Sequence, residues 1–225
     1  MRVERILAVD TATTVAVVAL GDGDGRLIAE EPWVAGYRHG EELLPRIERL
    51  LERADLDLAS LGAIVVGTGP GAFTGLRVGI STAKGLAHAL GRPIVGISSG
   101  EALLDAAAAA DGAAERVLLL PAGPSDRVAV RLGAGAELIP GGSEPNVAAD
   151  EVVVAVDLAE RAPDDAVARG DRARAGLGRA LVRIAAGRIA RGDVDDLATL
   201  VPDYVTLPRG VRATTGEVTW SRDHR

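Results

Sequence analysis

The sequence predicts an α/β protein in two similar lobes, and three observations predict it. Short runs of Val, Ile, Leu and Ala alternate along the chain with longer segments of helical period. A strand–strand–strand–helix–strand–helix order opens the chain, and a comparable order starts again near residue 116 without visible sequence repetition. With 225 residues, 48% of them hydrophobic, the chain holds enough apolar material for one large domain or two small lobes. Aromatic residues are only 2%, so Val, Ile, Leu and Ala must fill the core.

The elements follow in order. Residues 5–9 (RILAV) and 14–20 (TVAVVAL) read as strands, GDGDG at 21–25 is a hairpin turn signal, and residues 26–33 pair back. Asp22 and Asp24 have the spacing of a calcium loop, but Arg26 stands where the next oxygen ligand belongs, so the segment is read as a turn. Residues 40–54 (GEELLPRIERLLERA) form an amphipathic helix with Leu43, Leu44, Ile47, Leu50 and Leu51 at helical spacing. Pro45 is placed near its first turn, where a missing N–H costs least, and Glu42 precedes Arg46 by four residues, a favourable pair.

AIVVG at 63–67 is a buried strand, and residues 75–90 are a helix stopped by Gly91 and Pro93. PIVGI at 93–97 is the next strand, and an Ala-rich helix runs from about Glu101 to Ala110. RVLLLP (116–121), RVAVRL (127–132), AELIP (136–140) and EVVVAV (151–156) give the later strands. Residues 172–191 read as one long Ala/Arg-rich helix crossed by Gly176, Gly178 and Gly187. This divides the chain into an N-terminal lobe at 1–105, a C-terminal lobe at 106–206 and a polar, aperiodic tail at 207–225, expected to be flexible.

Composition excludes several functions. There are no cysteines, so disulfides, thiolate metal sites and catalytic thiols are out. The net charge is −7, so an RNA would be repelled on average, and any role near RNA needs a partner to supply the positive surface. The opening MRVERILAVD carries a charge at Glu4 and is not read as a signal peptide, and no window approaches the ~18 apolar residues of a membrane span, so a soluble cytoplasmic protein is expected.

The stretch GTGPGAFTGLRVG (67–79) carries five glycines between a strand and a helix, where phosphate loops occur. Gly75 is followed by Leu76 and Arg77, so the lysine and hydroxyl of the Walker pattern are missing. Gly69, Gly71 and Gly75 approximate the dinucleotide pattern, but the next strand ends in Ile97, Ser98 and Ser99 without the ribose-binding acid, and Pro70 removes an N–H. Gly75, Gly79, Ala83 and Ala87 recur every four residues as a stripe of small side chains. Such a stripe either packs tightly on its own sheet or admits a neighbouring helix from the same or another chain.

No catalytic, cofactor or metal residue stands out. His39, His88 and His224 are far apart in sequence, which argues against a metal site. Ser81-Thr82 and Ser98-Ser99 lack a nearby base, and no G-x-S-x-G elbow is present. Asp10 either caps the turn between two strands or serves as a base in a cleft.

ILAVDTATTVAVVAL (6–20), HGEELLPRIERLL (39–51) and VVGTGPGAFTGLRVGISTAKGLAHALGRPIVGISS (65–99) together resemble the TsaB family, bacterial tRNA threonylcarbamoyladenosine biosynthesis proteins once grouped with glycoproteases. The resemblance covers most of residues 6–105. Farther on, LPAGPSDRVAVRL (120–132) stands where the family often has an Asp-Ala-Arg motif, and VPDYV (201–205) is similar to a P-x-Y-L-R ending with the Arg replaced.

The resemblance implies the actin/Hsp70/sugar-kinase (ribonuclease H-like) fold, each lobe a mixed sheet flanked by helices. It implies a noncatalytic scaffold for a TsaD-like catalytic subunit, joined by a TsaE-like ATPase, in a complex that transfers threonylcarbamoyl to adenosine beside the anticodon. The tRNA would be met only indirectly, and the protein would self-pair when alone. The implied docking surface combines Leu43, Ile47, Leu50 and Leu51 on one helix with Gly75, Leu76, Gly79, Ile80 and Ala83 on the next, some of which must face the protein's own core. Asp10-Thr11-Ala12-Thr13-Thr14 occupies the place of a kinase-type phosphate loop, yet no glycine stands between Asp10 and Leu20. The competing readings are an ATP-dependent phosphotransferase or hydrolase with a degenerate phosphate loop, and a metallopeptidase.

Overall fold

The computed structural model describes residues 3–36, 38–111 and 115–205. The predicted tail at 207–225, with His224, lies outside them. In chain order the first half comprises β1 (Arg5–Asp10), β2 (Val15–Asp22), β3 (Leu27–Val34), α1 (His39–Arg53), β4 (Ala63–Gly69), α2 (Phe73–Leu90), β5 (Ile94–Ser98) and α3 (Ser99–Asp111). The second half comprises β6 (Glu115–Pro121), β7 (Arg127–Arg131), β8 (Gly135–Ile139), β9 (Glu151–Ala155), α4 (Asp164–Ala175) and α5 (Leu177–Ala190).

The first sheet has the order β3-β2-β1-β4-β5 and the second β8-β7-β6-β9. In each, a three-stranded antiparallel meander is extended by parallel strands: β4 beside β1, and β9 beside β6. Both sheets are therefore mixed, and their shared order is the two-lobed, ribonuclease H-like arrangement. The second lobe is shorter: no helix stands between β8 and β9, where the first lobe has α1.

Period-two side-chain alternation explains the layering. Ile6 and Ala8 of β1, Val17 and Ala19 of β2, and Ala63 and Val65 of β4 enter one central core. Leu7 and Val9, Ala16, Val18 and Leu20, and Ile64 and Val66 enter the core under α1 and α2 on the opposite face. Strand β6 repeats the device, sending Leu118 and Leu120 to the central core and Val117 and Leu119 to a third cluster with Leu158 and Ala166. Both sheets thus share the central core, together with Leu103 and Leu104 of α3.

The single helix expected over 172–191 is two helices. α4 begins earlier, at Asp164, and the break falls at Gly176. The Gly176 N–H closes α4 on the carbonyls of Arg172 and Ala173, while its own carbonyl accepts from Ala180 to start α5. Two destinations force the break. Gly170 of α4 lies so close to β9 that a Cβ would stand 1.9 Å from the Ala155 oxygen. Leu177, Leu181, Ala185 and Ile189 of α5 instead join β1, β2 and β4 in the central core, so a helix from the second half of the chain covers the first sheet. Pro45 is also placed differently from expectation: α1 starts at His39, which puts the proline inside the helix.

The chain after α5 covers the edge strand β5. Asp195 bridges to Ile94 through the backbone, its carboxylate accepts from Gly96 N at 2.8 Å, and Asp203 N donates to Thr68 O at 2.8 Å. Covering an open strand edge this way blocks unwanted strand pairing.

Candidate functional site

The glycine stretch touches the chain's own first loop. A Cβ on Gly67 would stand 1.8 Å from the Asp10 Oδ2, on Gly71 2.2 Å from the Ala12 oxygen, on Gly75 2.0 Å from the Thr11 oxygen and on Gly79 2.3 Å from the Thr11 Oγ1. Each is far inside van der Waals contact, so the bare positions are a slot cut for residues 10–12. Hydrogen bonds lock the fit. Thr11 Oγ1 donates to Gly75 O at 2.7 Å, and Ala72 N donates to Ala12 O at 2.7 Å, which ties the N-cap of α2 to the loop.

Asp10 is fully buried beneath this contact. Its Oδ1 accepts from Ala12 N at 2.8 Å and its Oδ2 from Ser99 Oγ at 2.5 Å, while Ser99 Oγ accepts from Gly69 N at 3.1 Å. Of the two roles open to Asp10 in the sequence, the structure shows the turn cap. Burial raises its pKa, opposed by the Ser99 and Ala12 hydrogen bonds. Gly69, at φ +106°, supplies the one sharp bend in the stretch that needs glycine's conformational freedom.

The structure places the nine residues expected at a partner surface against the chain's own core. Leu43, Ile47, Leu50 and Leu51, and Gly75, Leu76, Gly79, Ile80 and Ala83, are all buried within the chain itself. Leu43, Ile47, Leu50, Leu51, Ile80 and Ala83 form one core with strands β1, β2 and β4. α1 and α2 turn most of their apolar arcs to the five-stranded sheet, and on the stripe of α2 Thr11 fills the space at Gly75 and Gly79 while Ala83 packs in that core.

What α1 offers outward is the neighbouring row. Leu44 is 53% exposed and Leu58, in the short turn after α1, is 41% exposed. They border a groove of about 450 Å³ between α1 and α2, whose lining also includes Ile47 and Leu51 of the expected set, with Glu48, Glu52 and Leu86. Helical spacing groups Leu44 with the other leucines of α1 and does not by itself separate it from them. Its signal lay in Glu48 and Glu52, which share its side of the helix.

On the other flank, Glu31 of β3 binds Arg46, Arg49 and Arg53 of α1. Burial alone would raise the Glu31 pKa, but the three guanidinia bring it below the usual range. The sequence-predicted Glu42–Arg46 pair forms at 3.2 Å.

His39 opens α1 from a buried position, with no hydrogen-bond partner on either ring nitrogen, and burial lowers its pKa against the opposing Glu42 carboxylate. His88 is exposed near the far end of α2. Among the described residues no group of three or more His, Cys, Asp or Glu is placed to hold a metal ion. Nor, among them, is any helix long and apolar enough to cross a membrane.

Residues 31–167, more than half of the chain, match the family described as TsaD, tRNA N6-adenosine threonylcarbamoyltransferase. The chain belongs to this family. Relatives of three bacteria carry the name TsaB, in keeping with the motifs at 6–99. A tRNA threonylcarbamoyladenosine biosynthesis protein TsaB of Escherichia coli is 39% identical over 95 residues, covering 42% of this chain and 40% of that one. An uncharacterised protein of Mycobacterium leprae is 45% identical over 101 residues, covering 44% of this chain and 28% of the relative. The chain therefore spans less than half the length of these curated relatives. The solved structure of YeaZ from Pseudomonas aeruginosa superimposes with a TM-score of 0.70 at 28% identity, over 90% of this chain and all of that one.

Proposed function

We propose that this TsaB-type chain is a noncatalytic scaffold in the biosynthesis of threonylcarbamoyladenosine in tRNA, in the cytoplasm, where it supports a TsaD-like catalytic subunit. The exposed apolar groove between α1 and α2 carries this reading. Leu44 stands out from α1, whose other leucines are buried, Leu58 of the following turn and the half-buried Leu86 of α2 flank it, and an exposed apolar groove is what a partner helix seeks. The acidic rim of Glu48, Glu52 and Asp57 favours a partner surface with lysine or arginine around an apolar centre.

Two features support the noncatalytic part. The only carboxylate in the first loop, Asp10, is sealed from solvent with both oxygens hydrogen-bonded. The N-terminal amide of α2 at Ala72, which could have bound a phosphate, is taken by the Ala12 carbonyl. A TsaE-like ATPase joins the pair in this reading, and the same groove allows self-pairing when the partner is missing.

The test is co-expression with a TsaD-like subunit followed by size measurement. The wild-type chain is expected to co-purify as a heterodimer. Leu44→Asp with Leu58→Asp is expected to stay folded and to weaken association by about tenfold or more, the loss of ~1.4 kcal/mol. Undiminished association of the folded double variant would remove the groove from the interface. Micromolar Mg-ATP binding with turnover by the isolated chain would overturn the scaffold reading itself.

A further inference from the structure

The loop that enters the glycine slot ends at Thr14, and Thr14 meets a residue from the other lobe. Its N–H donates to Asp157 Oδ2 at 2.7 Å and its Oγ1 to Asp157 Oδ1 at 2.5 Å. Arg174, near the end of α4, donates to the same Oδ1 at 2.6 Å and also pairs with Asp171. The Asp157 side chain is only 7% exposed. Thr14 lies in the turn between β1 and β2 and Asp157 follows β9, so these bonds join the two sheets across 143 residues of chain.

The donors are a backbone N–H, a hydroxyl and a guanidinium converging on one pair of oxygens. That is the chemistry of a phosphate site, here satisfied from within. Asp157 also holds a left-handed backbone conformation, φ +58°, which glycine or asparagine adopts more easily. Its three charge-assisted contacts account for an aspartate there. A cavity of about 430 Å³ between the lobes is lined by Thr13, Thr14, Leu120, Pro121 and Asp157. A phosphate entering by that route meets a negative charge and finds its donors occupied.

We propose that the Asp157 carboxylate is an internal anion: it fills a phosphate-type site formed by Thr14 and Arg174, fastens the two lobes there, and closes that site to phosphate-bearing ligands. The proposal rests on this geometry alone and stands or falls independently of the scaffold reading.

The test removes the anion and asks whether an external one takes its place. Asp157→Gly suits the φ of the site, and Asp157→Asn keeps the shape without the charge. Inorganic phosphate is titrated by calorimetry, and hydrogen exchange is followed at the Thr14 amide. In the glycine variant phosphate is expected to bind about tenfold or more tightly than to wild type, with Thr14 exchanging about tenfold faster until phosphate is added. Arg174→Ala in that background is expected to abolish the gained binding. Should the glycine variant fail to fold, the same faster exchange is expected of the asparagine variant. The proposal is overturned if the folded glycine variant binds phosphate no better than wild type, or if Thr14 exchange in the folded variant, glycine or asparagine, stays at its wild-type rate.

Discussion

At Gly79 a single missing side chain decides how two segments meet. A Cβ there would collide with Thr11 Oγ1 at 2.3 Å, and that hydroxyl is held by Gly75 O. Gly79→Leu is therefore expected to destabilise the isolated chain by about 3 kcal/mol or more, combining overpacking with loss of the buried hydrogen bond. Urea denaturation measures it, and an unchanged midpoint would mean that the slot can widen. Asp10 gives a second residue-level expectation. Its folded pKa is raised above the ordinary 3.8 by burial, so the protonated form favours the folded state below that value. This contribution is lost as pH rises through the folded pKa. Asp10→Asn, neutral throughout, should thus gain stability relative to wild type between mild acid and neutral pH. Equal differences at both pH values in denaturation experiments would show that the carboxyl titrates as an exposed one does. The spacing of these glycines was legible in the sequence. Their contact was not, because residues 10–12 and 67–79 meet only once β1 and β4 pair side by side.

Among the elements, α5 carries more than its position near the end of the described chain suggests. Leu181 is fully buried in the core shared by both sheets. Leu181→Ala is expected to cost roughly 2–5 kcal/mol, read from thermal or chemical unfolding. A chain ended after residue 175 would leave Ala8, Val17 and Ala19 of the first sheet uncovered, and it is expected to lose cooperative unfolding in both lobes, not in the second alone. A sharp transition retained by residues 1–111 would show that the first lobe stands without α5. Sequence periodicity located α5 but fused it with the end of α4, because alanine and arginine favour helix on both sides of Gly176. The break reflects which sheet each half packs on, and that is a tertiary matter. In α1 the limit was different: the apolar arc was visible, while the separation of Leu44 from Leu43 and Ile47 needed the position of the sheet.

For the whole molecule, charge and the junction of the lobes matter most. A net charge of −7 leaves little to neutralise RNA phosphates. The chain alone is expected to retain tRNA weakly in filter binding at physiological salt, and to hold it appreciably only together with the proposed TsaD-like subunit. Tight binding by the isolated chain would point to a local basic surface that the net charge conceals.

By itself, the sequence determined the α/β class, nearly every strand and the resemblance that the family match bears out, because alternation, helical period and a dense glycine motif are local properties of a chain. Only the tertiary structure decided which apolar residues point inward, that the glycine slot holds the chain's own loop, and that Thr14 meets Asp157. Those depend on contacts between residues far apart in sequence, whose pairing is fixed when the two sheets close over a shared core.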